Sequence, residues 1–251
     1  MNLVVDIGNT FVKAALFQHN ELVSSVHERR TDSQRFSLFA QQHSIEACAV
    51  SCVVQDTSDI DQWLNSLQCP IIYVDGTTLV PFHNAYRTPL TLGSDRIAAL
   101  AGAITLFPQQ DILIADIGTC LTLDVLNHEG TFLGGNISLG PSMRLQALHE
   151  GTARLPLVNH IGDTPLIGYN TETAIRSGVM QGLSLEIEGY AQRLRQTMPQ
   201  LKVLLTGGKS TEMLPLLSPS LQLIHQPHLV ETGLNAILNY NNATSCQSPS
   251  Q

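Results

Sequence analysis

Residues 2–17 read "NLVVDIGNTFVKAALF", and residues 112–126 read "ILIADIGTCLTLDVL". Each stretch has an apolar run, then Asp-Ile-Gly with a threonine close behind, then a second apolar run. Asp6 and Asp116 lie 110 residues apart in a chain of 251 residues. A repeat on this scale indicates two copies of one domain, because solenoid repeats have periods of roughly 20–50 residues.

The run before each aspartate is short and apolar, which is typical of a strand buried on both faces. Gly8 and Gly118 allow a sharp turn and leave no side chain in the way of a ligand. Taken alone, each stretch is equally compatible with an ordinary tight turn between two strands. Two such turns facing each other across a cleft could instead bind a polyphosphate through N–H and hydroxyl groups, with the carboxylates holding the neutralising cations.

A third apolar run, "VLLTGG" at residues 203–208, ends in a glycine pair followed by Lys209. It is not a P-loop, because the pattern G-x-x-x-x-G-K-[ST] requires glycine where Val203 stands. Two interpretations stay open: a flat backbone surface for the adenosine of a nucleotide, or a plain strand-to-helix turn.

Composition excludes several classes of function. The chain is 43% hydrophobic and 14% charged, as in ordinary globular domains, and its net charge of −8 with scattered basic residues predicts no nucleic-acid partner. No apolar run approaches the roughly 18 residues of a membrane span, and no leader peptide is evident. The five cysteines lack zinc-ligand spacing, which favours reduced thiols in a cytoplasmic protein.

Residues at helical spacing predict a helix that begins near Ser94 as its N-cap, with Asp95 and Arg96 in the first turn. Its apolar positions are Ile97, Leu100, Ala101 and Ile104. Asp95 could simply complement the helix dipole, and the dipole with Arg96 predicts an ionised carboxylate at neutral pH. An ionised carboxylate could still align a hydroxyl group for phosphoryl transfer and finally accept its proton.

The two Asp-x-Gly-Thr-type turns and the later Gly-Gly strand end resemble the phosphate 1, phosphate 2 and adenosine motifs of the acetate and sugar kinase/heat-shock ATPase/actin superfamily. Within it, the chain resembles the type III pantothenate kinases from about Asn2 to Leu238. The resemblance lies in the DIGNT opening and in these stretches, which follow that family's order: "GSDRIAALAGA", "GGNISLGPSMRLQAL", "TARLPLV" and "NTETAIRSGVMQG".

This resemblance implies an α/β fold of two tandem actin-like (ribonuclease H-like) domains, each a mixed sheet flanked by helices, with a cleft between them. We place the N-terminal domain at residues 1–107, with the phosphate 1 turn and the substrate segment. The C-terminal domain, residues 108–240, would contain the phosphate 2 and adenosine turns. The polar tail at residues 241–251 is expected to be disordered.

The resemblance also implies ATP-dependent phosphorylation of pantothenate to 4'-phosphopantothenate, the first step of coenzyme A biosynthesis. Asp95 would be the catalytic base, Asp116 the ligand of a monovalent cation (K⁺ or NH₄⁺), and Mg²⁺ would accompany ATP. The implied pantothenate contacts are Tyr86, Gly93, Ser94, Asp95, Arg96 and Thr171. The implied ATP contacts are Asp6, Ile7, Gly8, Asn9, Thr10, Phe11, Val12, Lys13 and Thr119.

Some of these residues have plainer interpretations. Tyr86 could be a packing aromatic, Thr171 a helix N-cap and Lys13 a solvated strand-edge lysine. Cys120 stands where the resemblance leads us to expect a different small residue. Gly178 and Gly182, one helical turn apart, allow close helix–helix contact within the chain or between chains, and the resemblance implies a homodimer.

Two other functions are compatible with these motifs. The first is a kinase or phosphatase of the same superfamily that acts on a sugar, acetate or polyphosphate. The second is a non-catalytic regulatory protein, since the resembled family contains members named as accessory transcription factors. The presence of Asp6, Asp95, Arg96 and Asp116 argues against a dead site, and the acidic net charge argues against direct DNA contact.

Overall fold

A computed structural model describes residues 1–30, 33–55 and 57–245 of the chain. These residues form two compact units. The first unit contains Met1–Pro108, Gly130–Phe132 and the described residues from His228 onward, and the second contains Gln109–Glu129 and Leu133–Pro227.

The strands are β1 (Asn2–Ile7), β2 (Phe11–Gln18), β3 (Glu21–Arg29), β4 (Ala47–Cys52), β5 (Ile71–Tyr73), β6 (His83–Asn84), β7 (Ile112–Ile117), β8 (Cys120–Leu126), β9 (Thr131–Leu139), β10 (Lys202–Thr206) and β11 (Leu223–His225). The α-helices are α1 (Ser33–Gln41), α2 (Ser58–Asn65), α3 (Ser94–Leu106), α4 (Pro141–Glu150), α5 (Thr171–Leu194), α6 (Ser210–Met213) and α7 (Leu229–Ser245). Short 3-10 helices span Pro89–Thr91, Leu214–Leu216 and Pro219–Leu221.

The first unit is built on a five-stranded sheet in the order β3-β2-β1-β4-β5. The central strand β1 pairs antiparallel with β2, which places Lys13 opposite Asp6, and parallel with β4, which places Ser51 beside Asp6. Leu3, Val4 and Val5 have no solvent-exposed surface, as predicted for a strand covered on both faces.

The second unit repeats this arrangement with strands β9-β8-β7-β10-β11. Its central strand β7 pairs antiparallel with β8 and parallel with β10, so that Asp116 occupies the place in its sheet that Asp6 occupies in the first. Strand for strand the two orders agree, which confirms the predicted duplication and the mixed α/β fold. Strand β6 pairs with Thr131 and Phe132, within the first unit.

The sequence predicted most of helix α7 to lie in a second domain at residues 108–240. The helix belongs instead to the first unit. The reason is its packing on α3: a β-carbon on Gly102 would lie 2.3 Å from the Leu229 carbonyl oxygen, and one on Gly233 would lie 1.7 Å from the Ala98 carbonyl oxygen. The two helices therefore approach closely because each has a glycine at the contact.

The expected tail is partly wrong, since α7 continues to Ser245, well past residue 241. The rest of that tail, residues 246–251, lies outside the described residues. Across residues 1–30, 33–55 and 57–245, no helix combines the length and apolar character that crossing a bilayer requires.

Candidate active site

The first acidic turn, residues 6–13, joins the end of β1 to β2. Its backbone is closed by the Gly8 N–H, which donates to the Phe11 carbonyl oxygen at 3.0 Å. A β-carbon on Gly8 would lie 3.1 Å from that same oxygen, so the turn suits glycine at this position. Asn9, Thr10 and Phe11 are exposed at its tip.

Asp6 is the electrostatic centre of this turn. The pKa of its carboxyl group is raised from 3.8 to about 6, mainly by burial and in smaller part by Glu231 and Asp95, against the opposing effects of Lys13 and a hydrogen bond with Ser51. Because its pKa is raised, the ionised form of Asp6 is stabilised when a cation binds nearby. This property suits a group that faces a phosphate ligand with its bound cation.

The start of α3 differs in detail from the sequence prediction. The N-cap is Gly93, and Ser94 is the first helical residue. The Ser94 hydroxyl instead accepts from the Cys52 N–H at 3.0 Å, donates to the Cys52 carbonyl at 3.1 Å and lies 3.0 Å from the Ser51 hydroxyl. Ser51 on β4 is paired with Asp6 on β1. These bonds therefore join the first turn of α3 to the strand ends where Asp6 lies.

Asp95 lies in the first turn of α3, and its carboxylate folds back over the helix start. Its Oδ1 accepts from the Arg96 N–H at 2.8 Å and would lie 2.6 Å from a β-carbon on Gly93. The sequence predicted an ionised carboxylate at neutral pH from the helix dipole and Arg96, without the effect of burial. Burial raises the pKa of Asp95 and outweighs the Arg96 N–H and charge, which lower it.

Arg96 is 6% exposed and is packed against two aromatic rings. Its guanidinium carbon lies 5.7 Å from the Tyr86 ring centroid and 5.9 Å from that of Phe132, and the two rings are stacked with centroids 5.6 Å apart. Tyr86 is therefore a packing aromatic and, at the same time, a neighbour of the site. Phe132 was missed because only the tertiary structure brings this residue to Arg96.

The second acidic turn, residues 116–120, is also closed by its glycine N–H, but over two residues and not three. The Gly118 N–H donates to the Cys120 carbonyl at 2.9 Å. Gly140, from the glycine-rich loop before α4, donates its N–H to the Thr119 carbonyl at 3.0 Å, and a β-carbon there would lie 2.4 Å from the Gly118 oxygen. The glycine of that loop thus serves close backbone approach, and Thr119 stays exposed.

The glycine pair after β10 lies directly beside Asp116. Gly207 has φ +94°, and a β-carbon on it would lie 2.3 Å from Asp116 Oδ1. The Lys209 N–H donates to the Ile117 carbonyl at 2.9 Å, which ties the two turns together. The predicted phosphate 2 and adenosine motifs therefore form one continuous backbone surface of the second unit.

A polar cluster that the sequence did not reveal lies beyond this glycine pair. Lys209 Nζ lies 2.8 Å from His160 Nε2 and 3.3 Å from Glu212 Oε1, and His160 Nε2 lies 2.8 Å from Glu212 Oε2. Burial lowers the pKa of His160. His160 is 49 residues before Lys209 in the chain, so no local pattern could have predicted the contact.

Thr171 lies in the second unit and is the first residue of α5. The N-cap is Asn170, whose Oδ1 accepts from the Thr173 N–H at 2.8 Å in a capping box, so the N-cap interpretation of Thr171 is wrong. Thr171 instead lines an apolar cavity of about 940 Å³, together with Leu148, Leu155 and Gly178. Apart from the backbone of α5 itself, no atom of the described residues lies within 4 Å of a β-carbon built on Gly178 or Gly182, so neither makes the close helix contact that their spacing allowed there.

The donors near Asp116 fit a hard cation. The Asp116 carboxylate and the Ile117 carbonyl flank Gly207, and such oxygens are the ligands that alkali and alkaline-earth ions take. Within residues 1–30, 33–55 and 57–245, no three His, Cys, Asp or Glu side chains form a ready metal site.

Comparison with known proteins identifies relatives along nearly the whole chain. A family model described as type III pantothenate kinase matches residues 2–193. A type III pantothenate kinase of Bacteroides fragilis is 41% identical over 242 residues, covering 96% of this chain and 99% of that protein. One from Porphyromonas gingivalis is 36% identical over 243 residues, covering 96% and 98%.

Solved structures agree on the fold. A Campylobacter jejuni protein assigned to the Baf family of transcriptional activators has a TM-score of 0.61 at 21% identity and covers 96% of this chain and 99% of its own. The activator of 2-hydroxyisocaproyl-CoA dehydratase from Clostridium difficile, solved with ADPNP, has a TM-score of 0.58 at 12% identity and covers 100% and 99%. At these identities the likeness concerns the actin-like fold.

Proposed function

The chain belongs to the type III pantothenate kinase family, and we propose that Asp6, Asp95 and Arg96 carry the transfer of a phosphoryl group from ATP to pantothenate. This reaction yields 4'-phosphopantothenate and opens coenzyme A biosynthesis. The observation that carries the assignment is the Ser51–Ser94 contact of 3.0 Å, which holds the start of α3 beside the strand end that bears Asp6.

Asp95 has the role of orienting the primary hydroxyl group of pantothenate and accepting its proton. The hydroxyl oxygen forms a bond to the γ-phosphorus while the bond from that phosphorus to the β–γ bridging oxygen breaks, and the electron pair leaves with ADP. The raised pKa of Asp95 makes it a stronger base than a solvated carboxylate, which favours the final proton transfer.

Arg96 provides the positive charge for the carboxylate of pantothenate. It is held by packing against Tyr86 and Phe132, so little conformational entropy is lost when it binds an anion. Gly93, Ser94 and Tyr86 complete the substrate segment of the first unit. Thr171 is a further pantothenate contact, supported by its exposed place at the first turn of α5.

The ATP contacts are the N–H and side-chain groups of residues 6–13 in the first unit and Thr119 in the second. Asp116 would hold a monovalent cation (K⁺ or NH₄⁺), and this ion and Mg²⁺ supply neutralisation of the charge on the triphosphate. Lys13 adds a positive charge from the chain itself, as its side chain is 21% exposed next to Asp6.

The chain forms a homodimer in this proposal. The side of α5 that carries Gly178 and Gly182 is open, and the apolar side chains of Ile137 and Leu185 are 62% and 59% exposed. Exposed apolar area of this kind is typical of a surface that a partner covers. Light scattering of wild-type protein and of a Leu185→Lys variant tests it: we expect a dimer that the lysine weakens.

The decisive experiment measures ATP consumption with and without pantothenate, in potassium and in sodium buffer, and identifies the product by mass. We expect ADP and a phosphorylated pantothenate only when both substrates are present, with a higher rate in potassium. ADP release that depends on glucose or acetate and not on pantothenate would assign the chain to another kinase reaction of the same fold.

A further inference from the structure

Glu231, in the first turn of α7, is a buried carboxylate that the proposed reaction does not use. Its side chain is 3% exposed. Two cationic groups lie near Oε1, Lys13 Nζ at 3.8 Å and His228 Nδ1 at 3.7 Å, and both are at ion-pair distances that are too long for hydrogen bonds. Its Oε2 is buried and accepts no hydrogen bond in the described part of the chain.

Such an arrangement costs folding free energy, because a buried carboxylate needs close partners to replace its lost hydration. Burial alone would raise the pKa of Glu231, but His228 and Lys13 outweigh burial and lower it, so the group is ionised at neutral pH. Its position in the first turn of α7 adds support from the helix dipole. A charge is therefore kept inside the first unit with both cationic neighbours beyond hydrogen-bond distance.

Lys13 lies between Glu231 and a second carboxylate. It stands opposite Asp6 across β1 and β2, so the side chains of Lys13 and Asp6 share one face of the sheet. Lys13 lowers the pKa of Asp6 while Glu231 raises it, which shows that the three charges act on one another. Glu231 and Asp6 therefore compete for the same ammonium group.

We propose that Glu231 is a positioning residue for nucleotide binding: it holds the Lys13 ammonium toward α7 and prevents its collapse onto Asp6. This rests on the proposed function of residues 6–13 as the ATP phosphate site. Without Glu231, Lys13 would form a close, partly buried ion pair with Asp6, and arriving phosphates would have to break that pair. The Lys13–Glu231 contact at 3.8 Å is longer than a hydrogen bond, so Glu231 attracts the ammonium group by charge and forms no direct hydrogen bond with it.

The test measures the affinity of the full-length protein for a non-hydrolysable ATP analogue with Mg²⁺ by calorimetry, so that it does not depend on pantothenate turnover. We expect Glu231→Gln to weaken binding about 5- to 20-fold. The KM for pantothenate should stay within about 2-fold of wild type, since the effect passes through Lys13 alone. If wild-type protein binds the analogue but does not phosphorylate pantothenate, the proposed function is wrong. The effect of Glu231→Gln on affinity for the analogue then still tests the role of Glu231.

A double-mutant cycle separates positioning from a general loss of structure. In a Lys13→Ala background, Glu231→Gln should cause no further weakening, because the residue it acts through is gone. Asn235→Ala is the matched control: Asn235 lies one turn further along α7, is 2% exposed and bonds to Asn2 and His19, so its loss should lower stability without changing affinity.

Three results would overturn the proposal. Unchanged affinity in Glu231→Gln would show that Lys13 needs no positioning, and tighter binding would show that Glu231 merely repels the triphosphate. Fully additive effects of Lys13→Ala and Glu231→Gln would show that the two residues act independently. Should the glutamine variant fail to fold, Glu231→Asp retains the charge on a shorter side chain, and the same cycle with Lys13→Ala decides between these outcomes.

Discussion

Gly207 lies so close to Asp116 that a β-carbon on the glycine would be 2.3 Å from the carboxylate oxygen Oδ1. The two residues are 91 positions apart in the chain, but the paired strands β7 and β10 place them side by side at the carboxyl ends of these strands. The φ of +94° and this contact together require glycine. The second acidic turn and the glycine pair are therefore packed directly against each other.

We predict that Gly207→Ala destabilises the protein by about 2–4 kcal/mol, because the new methyl group clashes with Asp116 and with the Ile117 backbone in a strained conformation. It should also weaken ATP binding by displacing Asp116. Urea unfolding and nucleotide calorimetry measure both effects. Gly208→Ala is the matched control, since a β-carbon there would meet no atom within 4 Å among the described residues beyond its chain neighbours. Equal effects of the two variants would contradict the assignment.

Asp95→Asn should lower kcat about 10²- to 10⁴-fold with the fold intact, because the amide cannot accept the proton of the pantothenate hydroxyl. Steady-state kinetics with a thermal unfolding curve test this. Asp75→Asn serves as control, as Asp75 is an exposed turn residue that accepts hydrogen bonds from Thr77. A near-wild-type rate for Asp95→Asn would remove the assigned base.

Arg96→Lys should raise the KM for pantothenate about 10-fold or more while changing the KM for ATP little, because lysine keeps the charge but loses the planar stacking on Tyr86 and Phe132. Tyr86→Phe should be mild and Tyr86→Ala more severe, since the ring and not its hydroxyl group makes the contact with Arg96. Arg87→Lys, at the exposed neighbour of Tyr86, is the control. A selective rise in the ATP KM would refute the assigned role of Arg96.

Asp6→Asn should abolish activity and yet stabilise the fold at neutral pH. The folded pKa of Asp6, about 6, lies above its reference value of 3.8, so the folded state binds the proton more tightly and stability falls as pH rises between these values. Wild-type protein is therefore penalised above about pH 6 by about 2–3 kcal/mol, a cost that the amide avoids.

Urea unfolding of wild type and Asp6→Asn across this range measures the difference. It should be small near about pH 4 and reach its full size above about pH 7. A variant that is less stable than wild type at neutral pH would show that interactions of the charged carboxylate outweigh its burial.

The sequence alone predicted the duplicated strand–turn–strand units, because strand burial and turn chemistry are local properties that Asp6-Ile-Gly and Asp116-Ile-Gly express directly. It also predicted the helix with Asp95 and Arg96 in its first turn and the family of the chain. It erred at Ser94 and Thr171, where a residue with good capping chemistry stands one position inside the helix. The sequence does not distinguish a serine or threonine at the N-cap from one at the first helical position. At Ser94 the hydroxyl group bonds to Cys52, a residue distant in the chain, and does not cap the helix.

Only the tertiary structure decided which groups surround these motifs. Phe132 beside Arg96, Glu231 behind Lys13 and His160 beside Lys209 are pairs of residues far apart in the chain, and sheet order and helix packing bring them together. The direction of the pKa shift of Asp95 was also decided there, since burial depends on what covers a group. Local patterns determine strands, turns and helix starts, whereas desolvation and charge pairing depend on neighbours that the chain supplies only when it folds.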